Sequence, residues 1–305
     1  MSTSLHAQML HRSGSVTISD VSCRPHAREC GAEEISRANH IVFPRSGVFV
    51  KRIGRNEIVA DPNHVLFFRK HEPYRVAHPV GIGDECTVLA FAPELLTEAV
   101  ATYQPRAYDS PEQPFEFTHA LSEQSIFLSQ HRLRQQALSK HRDALAVDEL
   151  AVDLLTGVIR SVYSARGFST KHGRPETIRI HREQAHRACL LLSARYAESL
   201  GLAEIASVVF ASTFHLARLF KRVTGLSLHQ YRNRLRLRIA LERIVAGEKD
   251  LTGLALDLGF SSHSHLTDLF HRAFGLAPSE CRRSATTRRH REMSKNLKVP
   301  QTGLL

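Results

Sequence analysis

Two stretches of sixteen residues hold the side chains that could do chemistry, and one stretch is a copy of the other. Residues 212–227 and 262–277 agree at eight of sixteen positions when they are aligned at a fixed offset of 50. The matching pairs are Ser212/Ser262, His215/His265, Leu216/Leu266, Leu219/Leu269, Phe220/Phe270, Arg222/Arg272, Gly225/Gly275 and Leu226/Leu276. An internal repeat of this kind predicts two copies of one structural unit.

The outward side chains of each copy suit recognition by hydrogen bonding. In the first copy they are Thr213, Phe214, Ala217, Arg218 and Lys221. In the second copy they are His263, Ser264, Thr267, Asp268 and His271. Short polar, aromatic and arginine side chains on a protruding helix are the groups that read base edges in a DNA major groove. A plain solvated helix face is the alternative, and the duplication on a basic background disfavours it.

The apolar residues predict the helices that present these side chains. In each copy they recur at i, i+3, i+4 and i+7, which is one stripe of an amphipathic helix. A serine precedes each stripe as a helix cap, and a glycine follows it as a helix end. A second short apolar helix precedes each stripe, at 202–209 and at 254–258. Two short helices joined by a tight turn form a helix-turn-helix unit, so the sequence predicts two such units.

A series of motifs runs from about residue 179 to 283. They are Leu202-x-x-Ile205-Ala206, Ser212-x-x-His215-Leu216-x-Arg218-Leu219-Phe220-Lys221, Gly225-x-Ser227-x-x-x-Tyr231, Arg236-Leu237, Ala240, Leu258-Gly259-Phe260, Ser262-x-x-x-Leu266-x-x-x-Phe270 and Gly275-x-x-Pro278. In these motifs the region resembles the DNA-binding domain of the AraC/XylS family of bacterial transcription regulators. The motifs cover about a third of the chain in the family's order.

The resemblance implies which residues contact DNA. Base contacts fall on Phe214, Ala217 and Arg218 in the first unit and on His263, Ser264 and Asp268 in the second, with Arg218 as the guanine contact. The complete predicted set is Ser212, Thr213, Phe214, His215, Arg218, Lys221, Arg222, Arg236, Ser262, His263, Ser264, His265, Asp268 and Arg272.

Two residues depart from the family pattern. Asp268 stands where many relatives have arginine, so the second unit reads a cytosine amino group or contributes little. Phe210 stands where a turn glycine is common, which leaves the geometry of the first turn open.

A connecting helix from Tyr231 to about Ala246 is predicted between the two units. It carries arginines at 232, 234, 236 and 238, of which at most one pair can face one phosphate strand. The alternative for some of them is a structural role, since arginine stems cover apolar surface. A helix of this length could set the two recognition helices about 34 Å apart, in successive major grooves.

The formal net charge of +11 is concentrated in the half with the repeat. Residues 181–305 contain 20 Lys and Arg against 10 Asp and Glu, whereas residues 1–180 contain 21 against 20. A basic domain predicts phosphate attraction that weakens with salt. An anionic membrane is the other partner for basic residues, and no amphipathic anchor helix or lipidation signal accompanies them.

No apolar run approaches the roughly 20 residues of a membrane span, and residues 1–15 have no secretion signal. We therefore expect a cytoplasmic protein. Five cysteines in 305 residues favour reduced thiols over a disulfide framework.

Short β-branched and aromatic runs between His40 and Phe91 predict a small antiparallel barrel or jelly roll, preceded by a disordered start. This region is similar to the cupin-type N-terminal domain of many AraC-type regulators, which implies an effector site or a pairing surface. Phe49, Phe67, Tyr74 and His78 are candidate lining residues and equally good core residues. The effector-binding residues are unknown from the sequence.

A metal-dependent cupin enzyme is the rival interpretation of this domain. Catalytic cupins carry a His-x-His pair, and none occurs between 40 and 91. We therefore predict no catalytic residue, no metal and no cofactor. Cys23-x-x-His26-x-x-x-Cys30 could share a metal with a further ligand such as His40, and an ordinary pair of thiols is the alternative. A thiol- or metal-responsive switch rests on these cysteines alone.

The middle of the chain predicts a helix from Pro93 and two long amphipathic helices over 122–139 and 143–165. The two long helices could pack on the predicted barrel, on their own copy in a second subunit, or on both, and the resemblance implies a homodimer contact. Residues 167–175 are polar and break the helices, so we predict a linker there.

We predict four parts: a cupin-like β domain (1–115), a helical dimerisation region and linker (116–178), the AraC-type domain (179–285) and a disordered basic tail (286–305). The fold class is therefore α+β, with an N-terminal cupin-like jelly roll, a helical linker and an all-α C-terminal domain holding two helix-turn-helix units. The predicted function is sequence-specific transcription regulation, by family resemblance as an activator. Its partners are double-stranded DNA, RNA polymerase, a second copy of the chain and a small-molecule effector. A small-molecule-binding protein or cupin enzyme with a nucleic-acid tether is the alternative.

Overall fold

The structure is a computed structural model that describes residues 4–25, 31–139, 143–166 and 175–284. The strands are β1 (Ser4–Arg12), β2 (Val16–Arg24), β3 (Glu34–Ile35), β4 (His40–Gly47), β5 (Phe49–Ile53), β6 (Asn56–Ala60), β7 (His64–Phe68), β8 (Pro73–Ala77), β9 (Asp84–Phe91) and β10 (His119–Leu121). The helices are α1 (Pro93–Ala101), α2 (Gln124–Leu138), α3 (Ala144–Arg166), α4 (Pro175–Ala194), α5 (Leu202–Val208), α6 (Thr213–Thr224), α7 (Leu228–Ala246), α8 (Leu251–Asp257) and α9 (His263–Phe274). The chain forms two compact units, Met1–Leu235 and Arg236–Leu305.

The N-terminal strands form two antiparallel sheets, which confirms the predicted fold class. One sheet has the order β1-β2-β9-β4-β7-β10 and the other has the order β3-β8-β5-β6. The short β-branched and aromatic runs of the sequence coincide with β4 to β9, so these runs and the turn residues between them located the strands correctly. A double sheet closed over an apolar interior is the architecture of a jelly roll.

Both faces of the central strands are buried, because side chains alternate across a strand and both sheets are covered on their outer sides. Between the sheets lies a cluster formed by Val42, Phe49, Ile58, Ala60, Leu66, Phe68 and Cys86. The outer face of the larger sheet contributes Ile41, Phe43 and Phe67 to a second cluster. Double burial explains why these strands read as continuous apolar runs rather than as alternating patterns.

The interior between the sheets also holds a fully buried lysine that the sequence did not single out. Lys51 Nζ donates to the Phe67 carbonyl at 2.8 Å and lies 3.4 Å from Glu72 Oε2. Its ammonium sits 3.8 Å from the centroid of the Phe68 ring, a cation–π distance. Burial lowers the pKa of Lys51 to about 8, although Glu72 opposes the shift. Of the candidate lining residues, Phe49 and Phe67 belong to the core.

The start of the chain differs from the expectation of disorder. β1 pairs along β2 from Ser4↔Arg24 to Arg12↔Thr17, and β2 in turn pairs with β9. β1 is an edge strand that leaves Leu5 66% and Met9 59% exposed, so its burial pattern gave little signal. Residues 1–3 lie outside the described residues.

The two long helices of the middle region, α2 and α3, match the prediction to within two residues at each end. Val147, Leu154, Leu155, Ile159 and Val162 of α3 are buried in the cluster with the outer face of the larger sheet. The apolar face that the sequence left without a partner is therefore covered by the chain's own sheet. The predicted linker at 167–175 lies almost entirely outside the described residues.

The first helix-turn-helix shares a hydrophobic core with the smaller sheet. Val48, Val50, Val59 and Ala77, on or beside the outer face of that sheet, cluster with buried residues of α4, α5, α6 and α7. The helical members are Ala185, Ala188, Cys189, Leu192, Ile205, Ala206, Leu216, Phe220, Tyr231 and Leu235. The order of layers within this unit is therefore α1–α3, larger sheet, smaller sheet and first helix-turn-helix.

The second compact unit of the chain, Arg236–Leu305, contains the C-terminal part of α7, α8, α9 and a helix over 278–284. Its buried residues include Leu254, Leu258, Leu266 and Phe270, and the rings of Phe270 and Phe274 pack edge to face at 4.5 Å. The predicted tail from 286 lies outside the described residues. Among the described helices, none alone has the length and apolarity of a membrane span, and α5 with α6 reaches them only as a pair bent by 81°.

Candidate nucleic-acid interface

The recognition helix of the first unit, α6, begins and ends at the residues that the sequence predicts. The Ser212 side chain accepts a hydrogen bond from the His215 N–H at 3.2 Å, and Gly225 ends the helix in the left-handed conformation at φ 73°. Leu216, Leu219 and Phe220 are buried against the rest of the unit. Each such burial contributes about 1.5–3 kcal/mol, so the packing fixes which face of α6 points outward.

The turn between α5 and α6 keeps a left-handed geometry without a glycine. Phe210 has φ 54° and is 81% exposed, and the Ala211 N–H donates to the Ala206 carbonyl five residues back. The second unit makes the same bond from Phe260 to Ala255, with Gly259 at φ 78° in the equivalent place. These are Schellman-type helix ends. The turn of the first helix-turn-helix therefore has the same geometry with Phe210 as the second has with Gly259, and Phe210 adopts it with local backbone strain.

The outer face of α6 presents Thr213, Phe214, Ala217, Arg218 and Lys221 as exposed side chains. The Arg218 guanidinium lies over the Phe214 ring at 5.3 Å, and Phe214 is 71% exposed. Within the described part of the chain, no hydrogen bond or ion pair uses the Arg218 donors. A guanidinium that lies over an aromatic ring and keeps its donors unengaged is suited to a bidentate bond with a base or phosphate.

Two of the predicted contact residues on α6 are engaged with α4. Arg222 Nη2 lies 2.9 Å from His181 Nδ1, and the rings of His181 and His215 are 5.2 Å apart. A guanidinium only donates, so His181 Nδ1 accepts and the imidazole is neutral. Burial, Arg222 and His215 together lower the pKa of His181. Arg222 and His215 therefore lie on the side of α6 that contacts α4, and not on its outer face.

The second unit repeats the same construction around α9. Ser262 accepts from the His265 N–H at 3.1 Å, and Gly275 ends the helix at φ 74°. α8 begins at 251, three residues before the predicted start, because the Asp250 carboxylate caps the N–H groups of Thr252 and Gly253.

The outer face of α9 presents the predicted residues at the surface. His263, Ser264, His265, Asp268 and Arg272 are all exposed. The His265 ring packs edge to face on Phe260 at 5.6 Å and lies 2.9 Å from Ser261 Oγ, which holds it at the foot of the helix. His263, Ser264 and Asp268 remain on the exposed outer face of α9, where a DNA major groove can contact them.

Arg236 does not lie where a DNA contact requires. It is 5% exposed, and its Nη1 donates to the Gly259 carbonyl at 2.7 Å beneath the Phe260 ring. We therefore correct its predicted role to packing of the second unit. Arg238 is fully buried, and Arg232 donates to the carbonyls of Glu198 and Leu200. These arginines of α7 stabilise the helical core rather than face phosphates.

A buried carboxylate that the sequence showed only as part of a turn joins the smaller sheet to the first helix-turn-helix. Asp61 is fully buried, and its Oδ1 accepts from the Asn63 N–H and lies beside His64 Nδ1, both at 2.8 Å. Its Oδ2 accepts from Ser193 Oγ of α4 and Tyr231 Oη of α7, both at 2.5 Å. Burial raises the pKa of Asp61, but His64 and these hydrogen bonds outweigh it and leave the pKa below 3.8.

Asn63 makes a second link, since its Nδ2 donates to the Tyr231 carbonyl at 3.1 Å. By itself, the sequence Asp61-Pro62-Asn63 is typical of a turn between two strands. The signal that could have been used is the pairing of two short polar residues with a following His64, which is more than a turn requires. Its partners, 132 and 170 residues away, are not visible in a sequence.

Comparison with known proteins places the helical region in one family. A helix-turn-helix domain family matches residues 205–284. The chain is 34% identical over 91 residues to the HTH-type transcriptional activator RhaS of Shigella boydii, which is 30% of this chain and 33% of RhaS. It is 26% identical over 110 residues to the regulatory protein PocR of Salmonella typhimurium, which is 36% of each protein. The matches thus span about a third of these two relatives.

A solved structure gives a similar match in the same region. The AraC-type DNA-binding domain protein from Chromobacterium violaceum is 30% identical, with a TM-score of 0.32, over 34% of this chain and 93% of that one.

Proposed function

Through its helix-turn-helix domain the chain belongs to the AraC family of transcription regulators, and we propose on that premise that it binds specific DNA sequences and controls transcription. Each unit inserts its recognition helix, α6 or α9, into a major groove, and the two grooves are successive. The observation that carries the proposal is the pair of capped helices whose outer faces hold exposed, unengaged polar side chains at repeated positions. The basic charge of residues 181–305 supplies attraction to phosphates.

In the first unit, Arg218 makes the bidentate contact to guanine O6 and N7. Phe214 supports the guanidinium by stacking and, with Ala217, offers apolar contact to a thymine methyl group. Thr213 and Lys221 are exposed at the two ends of this face and bind phosphates, which position the helix without reading sequence.

In the second unit, Asp268 accepts a hydrogen bond from a cytosine amino group, and His263 and Ser264 complete the reading face. His265 and Arg272 flank this face and serve the backbone. An aspartate repels phosphate, so this unit selects sequence at the expense of affinity.

The jelly roll regulates the DNA-binding units in this proposal. The core shared between the smaller sheet and α4–α7, together with the Asp61 hydrogen bonds, supplies a physical route from an effector site to the first recognition helix. A small molecule that binds the sheets with different affinity in two arrangements shifts the population between them. We further propose that the chain acts as an activator, as a homodimer in contact with RNA polymerase.

Selection from random DNA tests the proposal. The full chain is incubated with a random duplex library at near-physiological salt, and bound DNA is recovered, amplified and sequenced over several rounds. We expect a motif with two conserved blocks whose centres lie about 10–10.5 base pairs apart. Binding without enrichment would refute sequence-specific recognition and would favour an enzyme or a small-molecule-binding protein with a nucleic-acid tether.

A further inference from the structure

A thiol, an imidazole and a carboxylate converge at one end of the jelly roll. Cys23 Sγ and the nearest donor atoms of His78 and Asp84 all lie within 4.8 Å of one another. The exposed fractions of these residues are 8%, 4% and 7%, so the group is buried. The recognition function described above uses none of the three.

The backbone forces these side chains together. Cys23, near the end of β2, is paired directly with Asp84, the first residue of β9. His78 comes from the turn that leads from β8 into β9. A Cβ at Gly83 would lie 2.3 Å from the Cys23 carbonyl oxygen, so the turn can approach β2 this closely only with glycine there.

Gly47 closes the turn from the other side. It has φ 77°, and a Cβ there would lie 1.9 Å from the Gly83 carbonyl oxygen. The position of the cluster is therefore set by close backbone contacts on two strands and not by flexible side chains alone. A rigid scaffold of this kind is what a metal site requires.

The donor set matches a borderline divalent cation. One thiolate, one imidazole nitrogen and one carboxylate oxygen suit Zn²⁺, which takes sulfur, nitrogen and oxygen ligands in tetrahedral geometry. Bond lengths of about 2.0–2.3 Å place two ligands of one tetrahedral zinc about 3.3–3.8 Å apart. A group spanning 4.8 Å needs only side-chain adjustment to reach this range.

Neighbouring side chains orient the ligands as an outer shell does. The Cys86 thiol donates to Asp84 Oδ2 at 3.2 Å, and the Phe49 ring packs against the His78 ring at 6.2 Å. His78 Nε2 and Asp84 Oδ1 are 2.6 Å apart, so a cation would replace this hydrogen bond as the link between the two. Outer-shell partners of this kind fix ligand orientation and strengthen metal binding.

We propose that Cys23, His78 and Asp84 bind one Zn²⁺ ion, with the fourth coordination position open to water or a small ligand. This site revises the prediction of no metal, and it differs from the Cys23-x-x-His26-x-x-x-Cys30 motif, of which His26 and Cys30 lie outside the described residues. Only Cys23 is common to the two sets.

The site adjoins the surface that carries the first helix-turn-helix. Ala77, directly before His78, is buried in the core shared with α4–α7, and Val80 packs against the same core. The metal site therefore lies where a bound ion can affect the first recognition helix. This role as an effector site rests on the proposed function.

Metal binding by the full chain tests the site without DNA. The protein is stripped with a chelator, dialysed against excess Zn²⁺, freed of loose metal, and analysed by elemental analysis. We expect about one Zn²⁺ per chain, and at least a tenfold lower content in His78→Ala and Cys23→Ser. The exposed His71→Ala and the buried Cys189→Ser serve as matched controls that keep the full content. Wild-type protein with less than about a tenth of an equivalent would overturn the site.

Two further measurements keep the proposal open to refutation. If Cys30→Ser loses the metal and His78→Ala retains it, the motif is the site and the proposal is wrong. Should His78→Ala fail to fold by circular dichroism, the Co²⁺ spectrum of the wild type decides, since a thiolate-to-cobalt charge-transfer band is expected and its absence overturns the site.

DNA affinity measured with and without bound Zn²⁺ tests the effector role separately. A change of at least severalfold in the wild type, lost in His78→Ala, supports that role, and identical affinity with metal bound overturns it.

Discussion

Replacement of Asp61 by asparagine removes the charge that joins the smaller sheet to the first helix-turn-helix, while the volume of the side chain is kept. The carboxylate is fully buried and is surrounded by four donors, from Asn63, His64, Ser193 and Tyr231. In Asp61→Asn one oxygen becomes an NH₂ group, so at least one donor meets another donor. The remaining hydrogen bonds also lose the strength that a charged acceptor gives.

The expected loss is about 3 kcal/mol in the free energy of unfolding. A hydrogen bond to a charged group contributes about 1.5–3 kcal/mol, and one between neutral groups contributes about 1 kcal/mol. In Asp61→Asn, two or more bonds to a charged acceptor become bonds to a neutral one or are lost. Ser193→Ala removes a single donor to the charged carboxylate and is expected to cost about 1.5–3 kcal/mol.

Urea unfolding of the full chain at pH 7, followed by far-ultraviolet circular dichroism, measures the loss. The matched control is Asp153→Asn on the exposed side of α3, with an expected change within about 0.5 kcal/mol. A loss for Asp61→Asn no larger than the change in this control would show that the buried charge does not stabilise the fold.

The pH dependence gives an independent check on the same residue. Because the pKa of Asp61 lies below 3.8 in the folded state, its contribution to stability is present above the unfolded value and is lost as pH falls through the folded value. The difference in stability between wild type and Asp61→Asn is therefore full at pH 7 and shrinks below pH 3.8. An equal difference at pH 7 and in acid would show that packing, and not charge, is responsible.

Three further predictions concern stability and are tested by the same unfolding measurement. Leu154→Ala, at a buried position of α3, costs about 2–5 kcal/mol, whereas Leu145→Ala, at a position 66% exposed on the same helix, changes stability by less than about 0.5 kcal/mol. Phe210→Gly relieves a left-handed backbone and stabilises the chain by about 1 kcal/mol, while Gly259→Ala in the equivalent turn destabilises it by a similar amount; equal signs would contradict the strain. Because burial lowers the pKa of Lys51 from 10.5 to about 8, wild-type stability relative to Lys51→Met rises as pH increases between these values, and a flat difference would contradict the burial.

The duplicated helices could be predicted from the sequence because each carries its own signals. Serine caps, apolar spacing and terminal glycines act within a dozen residues, and the structure has α6 and α9 beginning and ending as those signals indicate. The strands β4 to β9 were located for the same reason, because short β-branched and aromatic runs bounded by turn residues are also local signals.

The features that the sequence analysis missed depend on distant partners. β1 is an edge strand that is held mainly by its pairing with β2. Its largely polar sequence lacks the apolar pattern by which a strand is predicted. Arg236 lies on a helix whose sequence suggests an exposed basic face, yet the Gly259 carbonyl and the Phe260 ring hold it in the core. No local rule distinguishes a buried arginine from an exposed one when its acceptor is 23 residues away.

The same limit applies to the sites. Cys23 drew attention through its spacing from Cys30, whereas its neighbours in space are His78 and Asp84, brought close by pairing of β2 with β9. Asp61 could not be singled out from the sequence, because a turn explains an aspartate at this position as well as a buried hydrogen-bond network does. Strand register and sheet packing decide these contacts, and neither is encoded locally.

Selection from random DNA repeated with Arg218→Ala tests most directly the claim that α6 reads bases. The account predicts the wild-type motif with relaxed preference at one base pair of one block, an unchanged second block, and a loss of about 1–3 kcal/mol at the wild-type site. Lys221→Ala is the control, which weakens binding to all sequences alike and leaves the motif intact. If Arg218→Ala instead lowers affinity uniformly and returns the wild-type motif, Arg218 contacts phosphate and the account of the first unit is contradicted.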